Sequence, residues 1–253
     1  MSEFNQQRLD LVRQEMAKSN LDAFIIPRAD EYLGEYVPPQ NERLHWISGF
    51  SGSAGVAIVL KTRAAMFVDG RYTIQVRQQV PEASFEFHHL IEEPPTSWLC
   101  ETLGENTRIG IDSRMHTLSW YQAARKTLST KNIELIELDH HPIDLHWEDR
   151  PVPDHKFALL LGEEYTGTNS EKKRQIISAE IQKSGADIAL ISQLDSIAWL
   201  LNIRGGDVPR LPVLLAFATL ESTGEMVIYT DPRKLPNDFA AHVGKGITVR
   251  EED

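Results

Sequence analysis

Apolar and polar positions follow one order twice along this chain. Residues 5–19 place Leu9, Val12 and Met16 at spacings of three and four, the stripe of an amphipathic helix. The run Leu21-Asp22-Ala23-Phe24-Ile25-Ile26 is nearly continuous in apolar residues, as expected of a strand covered on both faces. A stretch led by Trp46-Ile47 comes next. Residues 55–60 and 64–68 then flank the turn Lys61-Thr62-Arg63, which predicts a hairpin. The order returns from Ser170: a helix with Ile177 and Ile181 on one face, a strand over 187–192, a stretch led by Trp199-Leu200, and a hairpin over 212–219 and 226–230. Asn20 and Gly185 end the two helices, 185 − 20 = 165 residues apart. Both residue types accept the left-handed conformation that stops a helix. Residues 21–26 and 186–191 keep that offset, whereas Trp46 and Trp199 stand 199 − 46 = 153 apart. The first copy therefore carries 165 − 153 = 12 extra residues after its first strand. The pattern predicts a duplicated module, 5–69 and 170–231, with Trp46 and Trp199 at equivalent core positions.

The first copy continues with a helix over 71–80 that stops at Pro81, strands over 84–89, 108–112 and 133–138, and helices over 96–103 and 117–129. A hairpin joined to αβ alternation predicts an α/β lobe with a mixed sheet flanked by helices. Residues 141–154 hold three prolines and little periodicity, the mark of a linker, with Trp147 as its one anchor. The expected organisation is a first domain over 1–140, a linker over 141–158 and a second domain over 159–253. After Asp231 the second copy offers only a helix over 235–243 and a strand over 247–250. That strand answers to 84–89, and two strands with the helices before them have no counterpart. The second lobe should therefore show an unpaired sheet edge or an uncovered apolar face, and be the less stable of the two.

Composition narrows the function classes. With 253 residues, 41% hydrophobic and 25% charged, the chain can bury two cores. A net charge of −11 argues against a general nucleic-acid binder, which needs clustered Lys and Arg. Cys100 is the only cysteine, which excludes an internal disulfide and a thiolate metal cage. No apolar run reaches membrane-spanning length, no signal-peptide pattern opens the chain, and there is no Asn-x-Ser/Thr site. These features predict a cytoplasmic protein with neither nucleic acid nor membrane as partner.

Few residues read as chemistry. His88-His89 and His140-His141 are adjacent pairs, which on a strand point to opposite faces, and they read as solvated histidines on edges and linkers. Gly49-Phe50-Ser51-Gly52-Ser53-Ala54-Gly55 fits neither a nucleophile elbow nor a dinucleotide loop. It reads as a tight turn with close backbone approach. Asp69-Gly70-Arg71-Tyr72 sits where a strand ends and a helix begins, a place where loops carry functional groups. Asp69 suits a helix cap and Arg71 a clamp for a carboxylate or carbonyl.

These residues carry a family resemblance. Glu42-Arg43, Ser48-Gly49-Phe50, Gly52-Ser53-Ala54-Gly55 and Asp69-Gly70-Arg71-Tyr72 resemble the first domain of proline-specific (Xaa-Pro) aminopeptidases, in the creatinase/prolidase-like pita-bread metallopeptidases. Trp147 with Asp149-Arg150-Pro151 resembles that family's connector. Leu194-Asp195, Ile197-Ala198-Trp199-Leu200, Asn202, Arg204-Gly205, Asp207-Val208 and Pro212-Val213 resemble its second domain in the three-domain type. The resemblance implies two creatinase-N-like lobes, the second incomplete, and a C-terminal catalytic pita-bread domain that this chain lacks. It implies two divalent ions, Mn or Zn, in that missing domain and none here. No two Asp stand eleven residues apart, as the family's bridging pair would require. The implied role is the non-catalytic N-terminal part of an enzyme that releases the residue before a penultimate proline from short peptides. This part would shape the substrate cleft, with Arg71 facing it. A homodimer is left open. The alternative is a stand-alone, non-enzymatic peptide- or histone-binding module, which the acidic charge mildly suits.

Overall fold

The computed structural model describes residues 2–153 and 155–252. Asp154, within the expected linker, and the terminal Met1 and Asp253 lie outside the described residues. The chain divides into two compact units, one holding residues up to Pro151 apart from Tyr36–Pro38, the other holding the remainder.

Unit 1 opens with α1 (Ser2–Lys18), whose Leu9, Val12 and Met16 are buried as the stripe predicts. Asn20, at φ 53°, ends the helical segment. Next come β1 (Ala23–Pro27), α2 (Arg43–Ser48), β2 (Gly55–Leu60), β3 (Ala64–Val68), α3 (Thr73–Gln79) and β4 (Glu86–His89). The unit closes with α4 (Pro95–Thr102), β5 (Arg108–Ile111), α5 (Leu118–Leu128) and β6 (Glu134–Glu137). Its six-stranded sheet runs β4-β3-β2-β1-β5-β6, antiparallel across β1–β2–β3 and parallel elsewhere. One face buries Phe24 and Ile26 with α1 and α2. The other buries Ala23 and Ile25 with Trp98 and Leu99 of α4 and Leu128 of α5. Two covered faces explain why β1 is apolar at both.

Unit 2 holds β7 (Leu159–Leu160), α6 (Glu163–Thr166), α7 (Ser170–Lys183), β8 (Ile188–Ile191), α8 (Leu194–Leu201), β9 (Ile203–Arg204), β10 (Phe217–Glu221), β11 (Met226–Tyr229), α9 (Phe239–Val243) and β12 (Ile247–Arg250). Its main sheet runs β12-β11-β10-β8, and β7 pairs with β9 apart from it. Pairing of β8, β10, β11 and β12 is antiparallel, antiparallel, parallel, the same as β1, β2, β3 and β4. The expected α/β class with mixed sheets is what forms.

Side-chain contacts repeat with the strands. Arg13 donates to the Leu60 carbonyl at 3.0 Å, and Ser178, 165 residues on, donates to the Glu221 carbonyl at 2.9 Å. The Arg8 guanidinium lies 4.4 Å from the Trp46 ring centroid and donates to the Trp46 carbonyl. Lys173, again 165 residues on, sits 4.4 Å from the Trp199 ring and donates to the Trp199 carbonyl at 3.0 Å. Gly49 and Asn202, both left-handed, end α2 and α8.

Several expectations need correction. The Trp-led stretches are helices, α2 and α8. Residues 212–216 are irregular, with 213–216 buried and their backbone held by side chains: Asp207 accepts from the Leu215 N–H at 2.7 Å and pairs with Lys234 at 2.9 Å. The helix expected over 235–243 shortens to α9. Trp199 is not in a core: it is 48% exposed, against 4% for Trp46. Residues 141–150 are held at many points rather than by Trp147 alone: Ile143 and His141 are buried, and His146 bonds Glu15 at 2.9 Å.

The second sheet has one covered face. Ala189 and Ile191 of β8 pack toward the unit 2 core, whereas Ile188 and Leu190 are 51% and 75% exposed. Among the described residues β8 pairs only with β10, so its other edge is open. Hydrogen exchange should therefore run faster through 187–250 than through 21–138 in a dilute monomer. Equal protection of the two lobes would contradict this account of the second sheet.

Candidate functional site

In unit 1, β1, β3, β4, β5 and β6 all point the same way, so their C-terminal ends share one edge of the sheet. Ligands of open α/β sheets gather at such an edge. Two features stand there, one exposed and one buried.

The exposed feature is Arg71. Asp69, one residue beyond β3, accepts from the Arg71 N–H at 2.9 Å, from its Nε at 3.1 Å and from its Nη2 at 2.7 Å. The Arg71 side chain remains 66% exposed and lies 5.1 Å from the Tyr72 ring. The Tyr72 hydroxyl meets the Ser53 hydroxyl at 2.7 Å, which ties the glycine-rich turn to the start of α3. The hydrogen bond from Arg71 holds the Asp69 carboxyl below its usual range. The expected cap is thus a clasp: Asp69 fixes Arg71 as well as the turn. The same clasp forms at Asp112–Arg114 after β5 and, in unit 2, at Asp231–Arg233 after β11. Arg233 draws the Asp231 carboxyl down to about 2.

The buried feature is centred on Arg43, 2% exposed at the start of α2. Its Nε and Nη2 donate to the two oxygens of Asp144 at 2.7 and 2.8 Å, and Nη2 also reaches Glu31 at 3.0 Å. Asn41 donates to Asp30 at 3.2 Å and accepts from Arg150 at 3.1 Å. Arg150 also donates to the Gln40 carbonyl at 2.6 Å. Burial, the largest influence, opposes the charge on Arg43, but the bonds to Asp144 together with the charges of Glu31, Asp144 and Asp112 outweigh it and raise its pKa. Burial pushes the Asp30 carboxyl up despite the Asn41 bond. Asp30, Glu31 and Asn41 come from the loop 28–42, which holds the extra residues of the first copy; unit 2 has only 192–193 at that place. Asp144 and Arg150 come from the segment after β6. The network fastens that segment to the lobe and offers no nucleophile or free base. Sequence reasoning met it only as two unconnected motifs, Glu42-Arg43 and Asp149-Arg150-Pro151. Its partners lie 12 to 101 residues from Arg43, and no spacing rule links them.

The histidine pairs are not simply solvated. His141 is 1% exposed, edge-on to Phe24 at 5.2 Å, and its Nδ1 accepts from the Ile143 N–H at 3.1 Å. Burial first, and Arg43 second, lower its pKa to about 3 from 6.5. His88 stacks on Phe67 at 5.0 Å. Between pH 6.5 and about 3 the unfolded chain binds a proton at His141 that the folded chain excludes, so stability falls as pH falls through that window. His141→Gln should flatten the drop in urea midpoint between pH 6.5 and 4, and an unchanged slope would contradict it.

No three His, Cys, Asp or Glu side chains converge to hold a metal among the described residues. The described residues therefore do not offer the donor set of a two-metal hydrolase.

The architecture and motifs define a class, and comparison with known proteins agrees. Two family models, each described as Creatinase/Prolidase N-terminal domain, match residues 8–144 and 149–253. The chain belongs to the creatinase/prolidase N-terminal domain family. It is 33% identical over 246 residues to a protein of Aspergillus fumigatus named "Probable Xaa-Pro aminopeptidase P", covering 96% of this chain and 38% of that one. A protein of the same name from Paracoccidioides lutzii is 34% identical over 248 residues, covering 96% of this chain and 40% of that one. A solved structure, X-prolyl aminopeptidase from Caenorhabditis elegans, superposes with a TM-score of 0.92 at 25% identity, over 98% of this chain and 42% of that one. That protein is described as a cytosolic enzyme with a di-nuclear active site. The chain thus spans about two fifths of the length of the relatives it matches. Among the described residues no helix is long and apolar enough to cross a membrane.

Proposed function

We propose that this chain serves as the non-catalytic N-terminal region of a cytosolic proline-specific metalloaminopeptidase, and that it shapes the cleft for short peptides with a penultimate proline. One observation carries the reading: almost the whole chain superposes on two fifths of an X-prolyl aminopeptidase. Two divalent ions and the hydrolytic chemistry would then belong to a further domain. The chain alone, incubated with manganese or zinc, desalted and analysed by elemental mass spectrometry, should hold no stoichiometric ion and leave Xaa-Pro peptides intact. Tightly held metal with metal-dependent cleavage would refute the reading.

Arg71 is the residue proposed to face the cleft. It is exposed, oriented by Asp69, and stands at the strand-end edge of the sheet. In a full-length enzyme, Arg71→Ala should lower kcat/KM roughly tenfold, about one charge-assisted hydrogen bond. The melting temperature should hardly move, because an exposed ion pair contributes little to stability. A loss of stability in step with activity would make Arg71 a structural residue instead.

A further inference from the structure

The duplication shows what is missing from the surface of unit 2. In unit 1, Arg8, Leu11 and Glu15 follow one another at helical spacing along α1, Arg8 lies over Trp46 of α2, and this face is covered. Trp147 lays its ring 6.2 Å from that of Trp46, Leu11 and Trp147 pack against the same core cluster, and His146 bonds Glu15 at 2.9 Å. Arg150 lies 5.7 Å from the Trp147 ring on its way to Gln40 and Asn41. Unit 2 repeats the socket. Adding 165 to 8, 11 and 15 gives Lys173, Ile176 and Glu180, and adding 153 to 46 gives Trp199. The internal geometry is kept, with Lys173 over the Trp199 ring at 4.4 Å. Even the pair Lys18–Glu15 at 2.7 Å has its echo in Lys183–Glu180 at 3.6 Å. Among the described residues the cover is absent: Trp199 is 48% and Ile176 51% exposed, and the Glu180 side chain 66%.

We propose that the Lys173–Ile176–Trp199 face of unit 2 is a docking socket for a turn-rich, indole-bearing peptide segment of the kind that residues 141–151 form on unit 1. The indole stacks on Trp199 beside Ile176. A ring or guanidinium donor one residue before it reaches Glu180, as His146 reaches Glu15. The argument for this occupant is internal to the chain: the same socket, built from equivalent positions, holds such a segment in unit 1. A half-exposed tryptophan beside an exposed isoleucine is the kind of anchor that interfaces use.

The test uses the chain as it stands, labelled with 15N, and an unlabelled synthetic peptide of residues 141–151. The Trp199 indole N–H resonance is assigned by its loss in Trp199→Phe. Titration should shift that resonance saturably and leave the Trp46 resonance in place. A peptide with alanine for Trp147 should produce no shift, and Ile176→Asp, at an exposed position, should weaken binding at least about tenfold while the spectrum stays folded. Absence of a Trp199 shift at millimolar peptide overturns the proposal, as does an equal shift with the alanine peptide. So does a Trp199 shift that depends on protein concentration alone with the mass of a dimer, which would assign the face to a second copy.

Discussion

Arg43→Ala should lower the stability of unit 1 by about 3–5 kcal/mol, the cost of removing one partner from a buried ion pair. Arg43 is 2% exposed and is the common donor to Asp144 and Glu31. Its loss strands two carboxylates whose other partners, Asn41 and Arg150, cannot replace it. It also frees residues 141–150, which its bond to Asp144 fastens to the lobe, so limited proteolysis after β6 should accelerate. Arg43→Lys should recover only part of the loss, because an ammonium cannot donate along both oxygens of Asp144 at once. The measurement is urea unfolding followed by a probe confined to unit 1. A loss below about 1 kcal/mol would show the network to be replaceable by water.

The two tryptophans should separate equally clearly. Trp46→Ala removes a ring that is 4% exposed and packed against Trp147, and should cost about 3–5 kcal/mol. Trp199→Ala removes a ring that is 48% exposed, and should cost roughly 1 kcal/mol. Lys173 keeps its bonds to the Trp199 carbonyl and to Asn202, so the backbone at the end of α8 stays held. Equal costs would mean that the second ring is buried in solution.

Much of the fold was legible because it is written in short-range pattern. The α1 stripe, the 55–60 and 64–68 hairpin and the two left-handed helix ends all rest on residues within a few positions of one another. The duplication was legible because two such patterns recur at fixed offsets. The short helices α2 and α8 escaped notice because six or eight residues give too few turns for periodicity to show. Burial of Trp199 was misjudged because the residue that covers its twin, Trp147, lies outside the repeated segment. The Arg43 network was invisible for a similar reason: its members come from an insertion and from a proline-rich stretch that composition alone reads as loose. Arg71 was found by its place at a strand end, but its clasp by Asp69 follows from a turn geometry that sequence only suggests.

The clasp itself bears on association kinetics. Asp69 takes the Nε and Nη2 side of the Arg71 guanidinium, and the pair together carries no net charge. Such a group exerts little pull at a distance, in a chain whose overall charge of −11 already repels anions. What it offers at close range is a cation whose orientation is settled before the ligand arrives, so less rotamer freedom remains to be lost on contact. An anion meeting Arg71, Arg114 or Arg233 would thus be sorted by how long it stays rather than by how fast it comes, and added salt would speed its arrival by screening the repulsion of the chain as a whole.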